Sequence, residues 1–289
     1  MAKRQLTATE AFDLRQSLHV ATLDALMTAR RWEPGDLVFQ GGTSLHLAHG
    51  SPRFSEDLDF LVSSALNLDS ISESVRARLD GTSWFPDDTH LTVGKAKDGH
   101  NPYAFFVSIG GPDVIGAVRV KVEMWQTEDT ALSAVKAVVA PVKLARGPAA
   151  GMQTFVPTAD LSEIYADKVF ALAARSYLKP RDVFDLHWLG THSGLRECSV
   201  DDLRVRLATY PSETPSAWLD KAFARRLELR ESGGALLVDL KRWLPSSWPL
   251  TEADAKDMAQ TAVQAIEQGI DVMRKIEAEY RDDYENPKP

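Results

Sequence analysis

The sequence predicts an α/β (α+β) protein in which a mixed-sheet core is followed by an all-helical region. Two observations carry this. Apolar runs of strand-like character, separated by Gly, Pro, Asn and Asp, are confined to residues before about 126. From about Pro157 to the end, apolar residues recur at helical spacing instead. A chain of 289 residues is long enough for two packed units, and the change of period divides it into residues 1–156 and 157–289.

In chain order, residues 7–31 read as a helix: Thr7 and Glu10 have capping-box spacing, and Phe12, Leu18, Ala21 and Met27 trace one face. Pro34-Gly35-Asp36 turns the chain into a short strand, Leu37-Val38-Phe39. The Gly41-Gly42 pair ends that strand, and a short helix carries Leu45 to His49. Gly50-Ser51-Pro52 leads into a second strand, Asp57–Val62, before a helix at about 70–80. Leu91–Lys95, Ala104–Ile109 and Val114–Trp125 read as three further strands. In the last, Val118, Val120, Val122 and Met124 share one face, with Arg119, Lys121, Glu123 and Trp125 on the other. A mixed sheet covered by helices is the simplest packing of these pieces. Beyond it, Asp160 and Glu163 open a helix running to about Tyr177, Lys179-Pro180 breaks it, and Arg181 starts the next. Helices near 199–209, 215–231 and 234–244 precede a long final one with Met258, Ala262, Ile266, Met273, Ile276 and Tyr280 on its apolar stripe.

Composition narrows the function classes. A net charge of −8 argues against a dominant basic shell for long duplex nucleic acid, because such binding runs on phosphate neutralisation. A local basic groove for a nucleotide or a short RNA end is compatible with it, and Lys168, Arg175, Lys179 and Arg181 are the candidates. The start, Met1-Ala2-Lys3-Arg4-Gln5, lacks the apolar run of a signal peptide, and no later window is apolar enough to span a bilayer. The single cysteine, Cys198, forms neither an internal disulfide nor a thiolate metal cluster. These features predict a soluble, cytoplasmic protein with no membrane partner.

The chemistry-bearing residues lie around the first two strands. Asp57 and Asp59, two apart in an extended segment, point to one face, while Leu58 and Phe60 point into the core. Two adjacent carboxylates repel and tend to retain a proton. A divalent cation removes the conflict, and hard oxygen ligands with substrate phosphates suit Mg²⁺, with Mn²⁺ as the alternative ion. Gly41-Gly42, directly after an apolar strand, lets backbone approach phosphate closely, and Thr43 and Ser44 add hydroxyls and amides. Glu123, on the polar face of the most regular strand, is the choice for a third carboxylate. A D-x-D or a Gly-Gly turn alone is common. Their order on successive strands is the specific signal. No Gly-Lys-Ser/Thr run forms a P-loop, and no G-x-G-x-x-G opens a helix.

The string Phe39-Gln40-Gly41-Gly42-Thr43-Ser44-Leu45, followed by Arg53-Phe54-Ser55-Glu56-Asp57-Leu58-Asp59-Phe60, closely resembles the AbiEii/AbiGii toxin family of the polymerase-beta-like nucleotidyltransferase superfamily. Later motifs match as well: Lys168, Ala171 and Arg175 on one helix, then Arg181-Asp182-Val183-Phe184-Asp185-Leu186. The resemblance is strongest over 37–62 and 160–190. It implies a nucleotidyltransferase core, a toxin–antitoxin or phage-defence role with a cognate antitoxin, and transfer of nucleotides from a nucleoside triphosphate (NTP), with tRNA acceptor ends as targets in some members. By matching position it implies Asp57 and Asp59 as metal ligands and Gly42 and Thr43 on phosphate. Lys168 would contact the triphosphate, and Asp182 or Asp185 would complete the site. Either Glu123 or Asp182 takes the role of third carboxylate.

The remaining residues admit plainer roles. Lys168 and Arg175, seven apart on one helix face, would neutralise phosphate or form a solvated surface. Arg181 and Asp185 have the spacing of a surface ion pair, and Asp182 sits where a helix dipole favours an acid. Arg53 would hold phosphate or brace the loop against Glu56. Ser55 would touch the nucleotide, where an attached group would block the metal site, or cap a backbone amide. His46 and His49 lack a third ligand for zinc. Protein hydroxyls or a small molecule such as an aminoglycoside are the alternative acceptors, and a non-catalytic nucleotide-binding module is the reading from another class.

Overall fold

A computed structural model of the chain describes residues 3–95 and 101–285. Met1 and Ala2, where the N-terminal reading begins, lie outside the described residues. The capping box at Thr7 is present: its hydroxyl accepts the Glu10 amide, while the Glu10 carboxylate accepts the Thr7 amide. Behind a two-residue strand β1 (Arg4–Gln5), helix α1 (Ala8–Ala29) follows. Next come β2 (Leu37–Gln40), α2 (Gly41–Leu47), β3 (Leu58–Ser63) and α3 (Leu68–Leu79). They are followed by β4 (His90–Lys95), β5 (Tyr103–Gly110), β6 (Val114–Ile115) and β7 (Val118–Thr127). Helix α4 (Asp129–Ser133) and strands β8 (Ala137–Lys143) and β9 (Gln153–Ala159) complete this part.

Seven strands make one mixed sheet in the order β4-β5-β7-β3-β2-β9-β8, in which β3–β7 and β2–β9 are parallel and the other pairs antiparallel. Period-two alternation decides its faces. Leu58, Phe60 and Val62 of β3 and Val118, Val120, Val122 and Met124 of β7 are buried in one core with Leu14, Leu18 and Ala21 of α1 and Ile71 and Val75 of α3. Asp59, Lys121 and Glu123 therefore alternate onto the opposite face.

Four details differ from expectation. The helix after β2 starts at Gly41 rather than Leu45, so the glycine pair belongs to its first turn. Asp57 stands one residue before β3 instead of inside it. The Val114–Trp125 run is two strands, broken at Gly116, whose φ of +95° suits glycine. Strands β8 and β9 were not expected: β8 carries Pro141, which is tolerated because β8 is an edge strand.

The helical part contains α5 (Leu161–Ala174), α6 (Pro180–Ser193), α7 (Val200–Thr209), α8 (Pro215–Glu231), α9 (Gly233–Leu240) and α10 (Glu252–Glu285). The expected helix to Tyr177 ends at Ala174, and the next starts at Pro180, where a missing N–H is harmless. Gly269 lets α10 pack closely: a Cβ there would lie 2.8 Å from Val169 and 3.1 Å from Trp218. The final apolar stripe is buried through Ile276, whereas Tyr280 is exposed.

Contacts divide the chain into two compact units. The first runs to Gly50 and takes Ser55–Ser133 and Ala137–Ala159; the second takes Ser51–Phe54, Ala134–Lys136 and the chain from Asp160 onward. No helix among the described residues is long and apolar enough to cross a membrane.

His19 of α1 is fully buried, with Nε2 2.9 Å from the Glu56 carbonyl oxygen. Burial pushes its pKa down from 6.5 to about 4. Between those values the unfolded chain takes up a proton that the folded imidazole refuses. Its contribution is therefore complete above pH 6.5 and declines as pH falls toward 4. Urea unfolding across that window is expected to lose stability more steeply in the wild type than in His19→Gln. Equal slopes would refute the buried neutral imidazole.

Candidate active site

The site in the first unit grows out of the β2–β3 pairing. Gln40 lies opposite Asp59, so the turn that begins at Gly41 starts beside the acid. A Cβ on Gly41 would stand 2.7 Å from Asp59 Oδ2, and its φ is +80°. Both facts require glycine here. Thr43 and Ser44 are fully buried. The Thr43 hydroxyl donates to the Asp57 carbonyl, and the Ser44 hydroxyl donates to the Gly41 carbonyl at 3.0 Å. These hydroxyls brace the turn and tie it to the acid-bearing segment.

A further acid stands on β7. Parallel register places Asp59 opposite Glu123 while Leu58 and Val122 pair on the core face. Asp57 precedes Asp59 by two residues just as Lys121 precedes Glu123. Lys121 Nζ donates to Glu123 Oε1 at 2.6 Å. Partial burial opposes the charge of Lys121, yet Glu123, and after it Asp57 and Asp59, hold the ammonium above its ordinary pKa. One cation thus feels three carboxylates. Sequence reasoning placed Lys121 on this face but gave it no role.

These residues fit a divalent ion in one specific sense. Their donors are hard oxygens in excess of local positive charge, as Mg²⁺ requires. Among the described residues no three His, Cys, Asp or Glu side chains already form a metal cage. An ion here would complete its shell with water and substrate phosphate, the usual habit of Mg²⁺.

The second unit holds a different ionic arrangement. Arg53 is buried and grips Asp185 through Nε at 2.6 Å and Nη2 at 2.8 Å, with Nη1 on the Phe54 carbonyl at 2.9 Å. Lys168, 5% exposed, places Nζ 2.6 Å from Asp182 and 2.8 Å from Asp185. Arg175, half-exposed, reaches Asp182 Oδ2 at 3.4 Å. The shared helix face expected for Lys168 and Arg175 brings both to one carboxylate. Burial works against ionisation of both acids, but Lys168 and then Arg175 hold Asp182 well below the usual carboxylate range, and Arg53 and then Lys168 lower Asp185.

Several expectations change on this evidence of geometry. Arg53 does not brace Glu56, which pairs with Arg15 at 2.8 Å. Arg181 and Asp185 do not form a surface pair: Asp185 is fully buried, and the Arg181 guanidinium lies over the Trp243 ring at 4.2 Å. Ser55 is half-buried, and its hydroxyl makes no hydrogen bond among the described residues. His46 lies against Gln16 and His49 against the Ala159 carbonyl, each at 3.0 Å. The Cys198 thiol donates to Gln268, and burial pushes its pKa up to about 12, which suits a structural thiol.

Residues 26–260 match the family described as nucleotidyl transferase AbiEii toxin, type IV TA system. The chain belongs to the AbiEii nucleotidyltransferase toxin family. No curated protein matches the sequence. Among solved structures, JHP933 from Helicobacter pylori is similar at 20% identity and a TM-score of 0.49, covering 94% of this chain and 99% of that one. MenT4, a nucleotidyltransferase toxin from Mycobacterium tuberculosis, is similar at 17% identity and a TM-score of 0.49, covering 92% of this chain and 85% of that one. The AbiEii match includes both the acid face of the first unit and the buried ionic network of the second.

Removing one member of a buried ion pair strands its partner's charge and costs about 3–5 kcal/mol. Asp185→Ala, followed by urea unfolding, is expected to lose stability of that order. A change under about 1 kcal/mol would contradict a network that holds this unit together.

Proposed function

We propose that this AbiEii-family chain transfers nucleotides from an NTP to the 3′ acceptor end of an RNA, with tRNA as the target, in the cytoplasm of a cell that also makes its antitoxin. The observation that carries the reading is the pairing of Asp59 with Glu123 across β3 and β7 beside the Gly41 turn, with Asp57 one residue before β3. In this reading the three carboxylates hold Mg²⁺ or Mn²⁺, which when bound supplies charge neutralisation at the reacting phosphate. In this reading the backbone of Gly41 and Gly42, in the first turn of α2, takes the triphosphate. Ser55 lies two residues before Asp57 in the chain and in this reading touches the nucleotide.

The second unit contributes charge and rigidity. Three cations, Arg53, Lys168 and Arg175, face two carboxylates, so the network carries surplus positive charge. Lys168 and Arg53 are buried and act as positioning residues that fix Asp182 and Asp185. Arg175, Arg181 and Lys179 are less enclosed than these two cations and are the second unit's own candidates for contact with an anionic substrate. This modifies the simpler assignment of Lys168 as a direct triphosphate contact, since both carboxylates already hold its ammonium. The net charge of −8 keeps two competing acceptors in view, a protein hydroxyl and an aminoglycoside-like small molecule.

Incubation with each α-labelled NTP, total cellular RNA and Mg²⁺ tests the reading. Label is expected in RNA of tRNA size, lost with EDTA and reduced at least about a hundredfold by Asp57→Ala or Asp59→Asn. Label confined to protein would move the acceptor, and unchanged labelling by both variants would remove the mechanism.

A further inference from the structure

We propose that Lys121 is a built-in counter-ion that occupies the cation position of the acid face until a divalent metal arrives and displaces it. The inference rests on the reading of Asp57, Asp59 and Glu123 as the metal-holding face. Its geometry comes from the sheet. The β3–β7 pairing is parallel with Asp59 opposite Glu123, and Lys121, two residues before Glu123, lies close enough to feel the charges of Asp57 and Asp59. Lys121 and Glu123 are on the same face of β7, and their side chains meet at 2.6 Å. Both are partly shielded, with side-chain exposures of 35% and 26%.

The alternative cation on this strand is engaged elsewhere: the Arg119 guanidinium lies over the Phe106 ring at 4.9 Å. Carboxylates brought side by side without a cation would repel. An ammonium on a flexible four-carbon stem offsets that repulsion yet can leave. Arginine in its place would grip a carboxylate through a planar, bidentate fork and leave less readily. The Lys121–Glu123 contact therefore competes with the metal for the carboxylate.

The test uses the full chain as wild type, Lys121→Met, Lys121→Gln and Asp59→Asn, with Mn²⁺ affinity measured by titration calorimetry and thermal unfolding measured in EDTA and in Mn²⁺. Both Lys121 variants are expected to bind Mn²⁺ at least about fivefold more tightly than wild type. They should melt lower in EDTA, with the deficit closing as Mn²⁺ is added. Asp59→Asn should lose Mn²⁺ binding. Wild-type or weaker Mn²⁺ affinity in a folded Lys121→Met or Lys121→Gln overturns the counter-ion role while leaving the metal site intact. If wild type binds Mn²⁺ no better than Asp59→Asn, the metal-site reading fails and this inference with it.

Discussion

The approach of the Asp59 carboxylate to the backbone of Gly41 is the constraint around which the first unit's site is arranged. It exists because β2 and β3 pair with Gln40 opposite Asp59, which leaves Gly41, the first residue after β2, no room for a side chain. The buried alternation of Leu58, Phe60 and Val62 fixes that register, since a slip of one residue would turn Asp59 into the core. The Thr43 and Ser44 hydroxyls then hold the turn against the acid-bearing segment. Packing, turn and acid face are one construction.

The buried network of the second unit shows how a motif residue can be indispensable without being reactive. Lys168 and Arg53 are held by Asp182 and Asp185 in surroundings where an unpaired charge is heavily penalised. Loss of activity in a Lys168 variant would therefore report structure as readily as chemistry. Stability and turnover have to be read together for every member of this group.

Much of the architecture was legible in the sequence because it rests on local signals. The Thr7–Glu10 capping box, the alternation of β7 and the helical spacing after Asp160 each state their element within a few residues. Strands β8 and β9 were not legible, since Pro141 interrupts the first and their pairing, not their composition, makes them strands. In the site, the D-x-D spacing and the glycine turn pointed to the acid face, but Asp57 lies just outside the strand. Lys121 stood in plain view on the polar face; what hid its role was that its significance depends on neighbours from another strand. The Arg53–Asp185 pair joins residues 132 positions apart, and sequence spacing carries no sign of it.

Diffraction at the manganese edge, from crystals grown with Mn²⁺ and a non-hydrolysable NTP, addresses the central claim most directly. The account predicts an anomalous peak about 2 Å from carboxylate oxygens of Asp57 and Asp59, with Lys121 withdrawn from Glu123. Triphosphate bound with no ion on those two acids, or an ion seated on other residues, would contradict it.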